Sequence, residues 1–186
     1  MFLVRSLFSL QDYVEGAFAS VFYAHLAVTV MLALLAWRLC VKCEKVHRHL
    51  RFAELLIFAG PAAFFLFFGY HKLILCAELG DGHSHIPNIS GAWTLLIFSY
   101  ALFVPNTWRR ACIVHLLMGV CPLAIMGLAY MRSESFAALS SMGVFQGVFI
   151  EHSLIMLLAV VTATVGVKSI GSLRREAFVA RQLGQY

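Results

Sequence analysis

The sequence predicts an all-α integral membrane protein: a polytopic bundle of about five transmembrane helices, preceded by a short N-terminal interfacial helix. Of the 186 residues, 61% are hydrophobic and only 12% are charged. The charged residues lie between long apolar runs, and several runs are apolar on every side of a helix. A soluble enzyme would keep polar side chains on the outer face of each helix. Lipid is therefore the expected solvent.

Five apolar stretches have a length close to that needed to cross the roughly 30 Å hydrocarbon core of a bilayer. They run from Ala17 to Leu39, from Leu55 to Cys76, from Ile89 to Val104, from Ala111 to Met131 and from Val144 to Val167. The third is the shortest because Pro105 ends it, and it would cross with little tilt. Kinks are predicted at Pro61 and at Pro122.

Three parts are expected along the chain. Residues 1–16 are an N-terminal segment, which we interpret as an interfacial helix, with a cleaved signal peptide or a sixth membrane helix as alternatives. Residues 17–170 form the transmembrane bundle. Residues 171–186 form a cytoplasmic juxtamembrane helix with one apolar stripe, made by Leu173, Ala177, Ala180 and Leu183.

The positions of Lys and Arg predict the orientation of the bundle. Eleven of the fourteen lie on one predicted side: Arg38, Lys42, Lys45, Arg48, Arg51, Arg109, Arg110, Lys168, Arg174, Arg175 and Arg181. Because short basic loops stay on the cytoplasmic side, the N-terminus is expected outside and the C-terminus inside. The distribution of Lys and Arg between the two sides of the membrane thus explains the net charge of +5, and no nucleic-acid partner is expected. The expected partners are the lipid bilayer, anionic headgroups at the cytoplasmic face and a second copy of the chain in a homodimer.

Two segments carry a family resemblance. LLIFSYALFVPNTWRRACIV, from Leu95 to Val114, and the tail RREAFVARQLGQY, from Arg174 to Tyr186, resemble the N-terminal membrane region of multi-pass bacterial serine/threonine protein kinases of the planctomycete type. In that family, such a tail leads into the kinase lobe. Related membrane regions also precede adenylate cyclase domains.

The resemblance implies a sensory or anchoring module in a bacterial inner membrane, with signal transduction to an attached kinase that uses ATP and magnesium. The chain itself carries no catalytic residue, because the glycine-rich loop, the catalytic lysine and the metal-binding aspartate are missing. Whether it belongs to an enzyme therefore depends on whether the natural gene continues past Tyr186 into a kinase domain. The alternatives are a small transporter or metal- or haem-binding redox protein, and a standalone structural membrane protein.

Histidines are the candidate metal ligands. His25, His71, His83, His85 and His152 all fall on the predicted outer side, where imidazole nitrogen could bind zinc, copper or haem iron. Glu78 and Asp81 could complete such a site. The ordinary alternative is that these histidines are interfacial or solvated. Glu151 stands beside His152 within an apolar stretch, and an ionisable pair at that depth is a functional candidate.

Basic and aromatic residues mark the predicted cytoplasmic face. Trp108, Arg109 and Arg110 follow the third stretch, either as a topogenic anchor or as a docking point for a cytoplasmic domain. Arg174 and Arg175 in the tail are the matching interface candidates. Cys40, Cys43, His47 and His49 form a C-x2-C-x3-H-x-H motif without a familiar zinc-finger spacing. A basic juxtamembrane segment is the favoured interpretation there, and metal or redox sensing and cysteine acylation are the alternatives.

Overall fold

The computed structural model describes residues 19–41, 50–79, 86–104, 107–140 and 144–184, and every regular element within them is an α-helix. The helices are α1 (Ala19–Val41), α2 (Leu50–Leu79), α3 (Ser90–Phe103), α4 (Trp108–Arg132), α5 (Glu134–Ser140) and α6 (Val144–Leu183). Four of these described helices, namely α1, α2, α4 and α6, are long and apolar enough to cross a membrane. The predicted all-α membrane bundle is confirmed.

The third predicted stretch forms a helix of only 14 residues, about 21 Å long at ~1.5 Å per residue. Residues 86–89 lead into it without helical structure, and the side chains of Ile86 and Ile89 are buried. Four non-helical residues reach at most about 13 Å, so residues 86–103 together have the reach of a membrane span. Non-helical backbone is tolerated at membrane depth when it is buried in protein, a condition that Ile86 and Ile89 meet, whereas Asn88 is exposed.

The chain divides into two compact units between Phe68 and Gly69. The first unit contains α1 and the N-terminal part of α2, and about half of its described apolar side chains are exposed, Trp37 and Leu34 among them. Gly60 of α2 lies against the end of the Met31 side chain of α1, and a larger residue at this position would require that flexible side chain to move. Exposed apolar helices of this kind are stable in lipid, because lipid tails solvate Leu and Phe as well as a protein core does.

The second unit contains the C-terminal part of α2 and the helices α3 to α6. Helices α3, α4 and α6 pack against one another, and α5 packs on α4 and α6 at one end. We call this end the α5 end and the opposite one the Trp108 end. The buried face of α4 is a single helical stripe, made by Ala111, His115, Met118, Gly119, Pro122, Ile125, Met126 and Ala129. Pro122 lies within α4, as Pro61 does within α2, and both helices continue past their proline.

Ser133 lies between α4 and α5 and forms a hydrogen bond with each of the two helices. Its backbone N–H donates to the carbonyl of Ala129 at 3.0 Å, which closes α4. Its Oγ accepts the backbone N–H of Phe136 at 3.2 Å, which is the N-cap hydrogen bond of α5. This tight reversal places Phe136 in the core, where its ring packs edge-on against Phe145 of α6 with centroids 5.8 Å apart.

Candidate functional site

His152, on α6 near the α5 end, has a side chain that is only 2% exposed. Its Nδ1 lies 2.8 Å from the carbonyl oxygen of Val148, one turn earlier on the same helix. Because a carbonyl can only accept, Nδ1 carries the proton of this hydrogen bond, and in that tautomer of the imidazole Nε2 carries a lone pair. Nε2 is buried and has no hydrogen-bond partner among the described residues. A carbonyl-anchored imidazole with a bare Nε2 is the arrangement that metal-ligating histidines adopt.

Glu151 does not share this environment. Its side chain is exposed, as are those of Ile150 and Leu154 on the same helix. The two adjacent ionisable residues therefore lie on different sides of α6, with His152 in the core of the second unit and Glu151 on its surface. An ionisable group on the apolar surface of a membrane helix is costly, so Glu151 stays a functional candidate.

A second buried histidine lies near the Trp108 end. The side chain of His115, on α4, is fully buried, and its Nδ1 forms a hydrogen bond with Oγ1 of Thr164 on α6 at 3.1 Å. The ring of Tyr100, on α3, meets the imidazole edge-on with centroids 5.7 Å apart. Nε2 of His115 is also buried without a hydrogen-bond partner among the described residues. His115 therefore contacts α3 and α6 from α4, so that these three helices meet at its level.

Sequence reasoning did not single out His115, although two signals surround it. Ala111 and Gly119 lie four residues to either side, and small residues at that spacing mark the face through which membrane helices pack closely. An ionisable residue on such a face is expected to point into the bundle. His115 lies nearer the predicted cytoplasmic side, apart from the histidines that were expected to converge outside.

The two buried histidines form separate sites. His115 lies level with Thr164, and Thr164 and His152 are twelve residues apart on α6, about 18 Å along the axis at ~1.5 Å per residue. One metal ion or one haem iron cannot be ligated by both rings.

The other predicted metal ligands fall in different places. His25 is exposed in the first unit, and the centroid of its ring lies 5.3 Å from the ring centroid of Phe64. His71 is exposed in the second unit, next to Tyr70. His83 and His85 lie outside the described residues, as does Asp81. Within the part of the chain that is described, no three His, Cys, Asp or Glu side chains form a group that could hold a metal ion. The five-histidine site stays a prediction.

The side chains of Cys40, Cys43, His47 and His49 also lie outside the described part of the chain.

The Trp108 end carries the predicted anchor residues. The guanidinium carbon of Arg109 lies 5.6 Å from the ring centroid of Trp108, within the range of a cation–π interaction. Both side chains are exposed, and Arg110 is partly buried. Cations in the first turn of a helix oppose the helix dipole, so these arginines do not stabilise α4 itself. Their placement fits an interfacial role. Arg174 and Arg175 are exposed on α6, beyond its buried face.

We expect the His115–Thr164 hydrogen bond to contribute about 1 kcal/mol to the stability of the second unit, since such bonds between membrane helices are worth roughly 0.6–1.7 kcal/mol. Replacing Thr164 with Val removes the hydroxyl at nearly constant volume. Thr162→Val, at an exposed position two residues away, is the matched control. The free energies of unfolding of both variants are measured in mixed micelles. The assignment fails if the two variants are equally stable, or if a double-mutant cycle with His115→Leu gives no coupling energy.

Neither a protein-family model, nor a curated protein, nor a solved structure matches this chain.

Proposed function

We propose that this chain is the membrane-embedded sensory and anchoring module of a bacterial serine/threonine protein kinase. The observation that carries the proposal is the continuity of α6, a single helix of 40 residues from Val144 to Leu183. Its buried face ends at Val167, and every described residue from Gly171 to Gln182 is exposed. One uninterrupted helix thus joins the core of the second unit to the tail that resembles the kinase-linked segment.

The proposed mechanism is a change in the packing of α6 against α3 and α4. Rigid helices in membrane proteins pass signals by small shifts or rotations between two packing arrangements. In this chain, a ligand or lipid that changes the bundle core would move α6 as one body, and the tail would move with it. A homodimer would provide a second way to read out the same motion.

The proposed orientation places the Trp108 end and the tail in the cytoplasm of a bacterium with the module in its inner membrane. The eleven cations on that side support this orientation, and so does the exposed Trp108–Arg109 pair, because Trp and Arg favour the headgroup region. Anionic lipid headgroups are the proposed contacts of Arg109 and Arg110. A reporter enzyme that is active only in the cytoplasm should be active when it is fused after Tyr186, and a reporter that is active only outside the cytoplasm should be inactive there.

The test of this function changes the rotation of the tail about the axis of α6, relative to the bundle, in the full-length protein. We expect the coding sequence after Tyr186 to contain a glycine-rich G-x-G-x-x-G-x-V loop within about thirty residues. Inserting one to seven alanines after Gly171 rotates the tail by about 100° per residue. If the module is a sensor, autophosphorylation of the kinase should change with the number of inserted alanines. It should return to the wild-type level at seven alanines, where the tail has made nearly two full turns and faces its original direction again.

Each of the other outcomes decides between interpretations. If autophosphorylation is the same for all insertions, the module anchors a kinase but does not signal through α6. If no kinase sequence comes after the tail, the kinase proposal is wrong. The alternative of a transporter or a metal- or haem-binding redox protein then gains, and its support in the described structure is the bare Nε2 of His152.

A further inference from the structure

The core of the second unit contains two fully buried methionines, one on α4 and one on α6, the helix that carries His152. The fully buried side chains at the α5 end include Met126 on α4 and Met156 on α6, which are 0% and 2% exposed. Buried methionine usually fills gaps in a core. Here, however, the same core also holds an imidazole, that of His152, whose Nε2 has no hydrogen-bond partner among the described residues.

The register of α4 against α6 gives the position of Met126. The two helices run antiparallel, with His115 facing Thr164, and the position of Gly119 facing Val160 one turn on. Nearer the α5 end, the rings of Tyr130 and Phe145 stack with centroids 5.9 Å apart, a pairing that is four residues out of step with the first two. The first two pairs place Met126 level with Ser153 and the third places it level with Phe149, so Met126 lies within about one helical turn of the level of His152.

Side-chain direction brings Met156 to the same level. On an α-helix, long side chains lean toward the N-terminus and cover the preceding turn. Met156 follows His152 by four residues, so its thioether leans along the same face toward the imidazole. His152 itself leans toward Val148, to which its Nδ1 is bonded, and Nε2 is directed away from that carbonyl.

We propose that His152 Nε2, Met126 Sδ and Met156 Sδ form a binding site for a monovalent soft metal ion, Cu(I). Thioether sulfur and imidazole nitrogen are ligands that select Cu(I) among biological metals. All three ligands are neutral, so a bound ion keeps its full charge in a medium of low dielectric constant. That cost is far greater for a divalent ion than for a monovalent one, and it disfavours zinc and Cu(II).

This site differs from the five-histidine cluster predicted from the sequence. It uses one of those histidines and two methionines, and it lies wholly within the second unit. The proposal does not depend on an attached kinase. In a sensor, Cu(I) bound between α4 and α6 would be a stimulus acting directly on the helix that leads to the tail.

The test is a Cu(I) titration of the purified full-length chain in detergent or nanodiscs, under reducing and anaerobic conditions, against a chromogenic Cu(I) chelator. Five cysteines could also bind Cu(I), so thiols are alkylated first in every sample. The variant Met126→Leu/Met156→Leu removes both sulfurs at nearly constant volume, which keeps the core packed. Met118→Leu, at a buried position two turns away on α4, is the matched control.

We expect alkylated wild type and Met118→Leu to bind one Cu(I) with the same affinity, and the double variant to bind about 100-fold more weakly. X-ray absorption of the loaded wild type should show sulfur and imidazole nitrogen around copper. If wild type binds no Cu(I), or if the double variant retains its affinity, the proposal is overturned. The methionines are then packing residues, and a buried water is the expected partner of His152 Nε2.

Discussion

Replacing Trp93 with Ala is expected to destabilise the second unit by about 3 kcal/mol, near the lower end of the range for removing a large aromatic side chain from a core. Trp93 lies on α3 and is 1% exposed, the largest of the fully buried side chains. Its loss leaves a cavity whose walls forfeit dispersion contacts. The lower end of the range applies because, in a membrane, the unfolded reference state already surrounds apolar groups with lipid.

The control for this prediction is Leu95→Ala on the same helix. Leu95 is 68% exposed, so its truncation should change the free energy of unfolding by less than about 0.5 kcal/mol. Unfolding of both variants is followed by circular dichroism during titration with a denaturing detergent. Equal stability of the two variants would mean that α3 is not packed as described.

Replacing Gly119 with Leu is expected to cost about 1–3 kcal/mol through overpacking. A Cβ at this position would lie 2.8 Å from Cγ2 of Val160 on α6, closer than real side chains approach. The side chain of Val160 is stiff at χ1 and cannot move aside cheaply. The bulkier residue therefore pushes α4 and α6 apart, and the His115–Thr164 hydrogen bond should weaken with them.

Gly127→Ala provides the comparison, because a Cβ there meets nothing within 4 Å. It should be neutral or stabilising by up to about 1 kcal/mol, since alanine favours helix more than glycine does. The second check is rescue. Val160→Ala should relieve Gly119→Ala, giving a double variant more stable than the sum of the single effects predicts. Additive behaviour would show that the two residues do not meet.

Apolar length was enough to predict the helices, because a membrane requires each spanning backbone to satisfy its own hydrogen bonds. The predicted stretch from Val144 to Val167 and the tail stripe ending at Leu183 are one helix, α6. Helix ends were harder, since α2 begins at Leu50 and not near Leu55. The division of the chain at Phe68 has no sequence signal, because it lies in the middle of an unbroken apolar helix.

The candidate site was predictable only in part. His152 stood out because it interrupts an apolar run beside Glu151, and the structure places its side chain in the core of the second unit. Which of the two faces the core depends on the rotation of α6, and the sequence alone does not determine that angle, since both sides of the helix are apolar. The partnership of His115 with Thr164 spans 49 residues and needs the antiparallel register of α4 and α6.

The uninterrupted helix α6 also has a mechanical consequence. From Gly171 to Leu183 it projects twelve residues, about 18 Å at ~1.5 Å per residue, beyond the level of Trp108. A straight rod of that length is a lever arm whose fulcrum is the end of the bundle. A tilt of about 10° at the fulcrum swings the far tip sideways by roughly 3 Å, and it moves the level of His152, about 28 Å away on the other side of the fulcrum, by roughly 5 Å in the opposite direction.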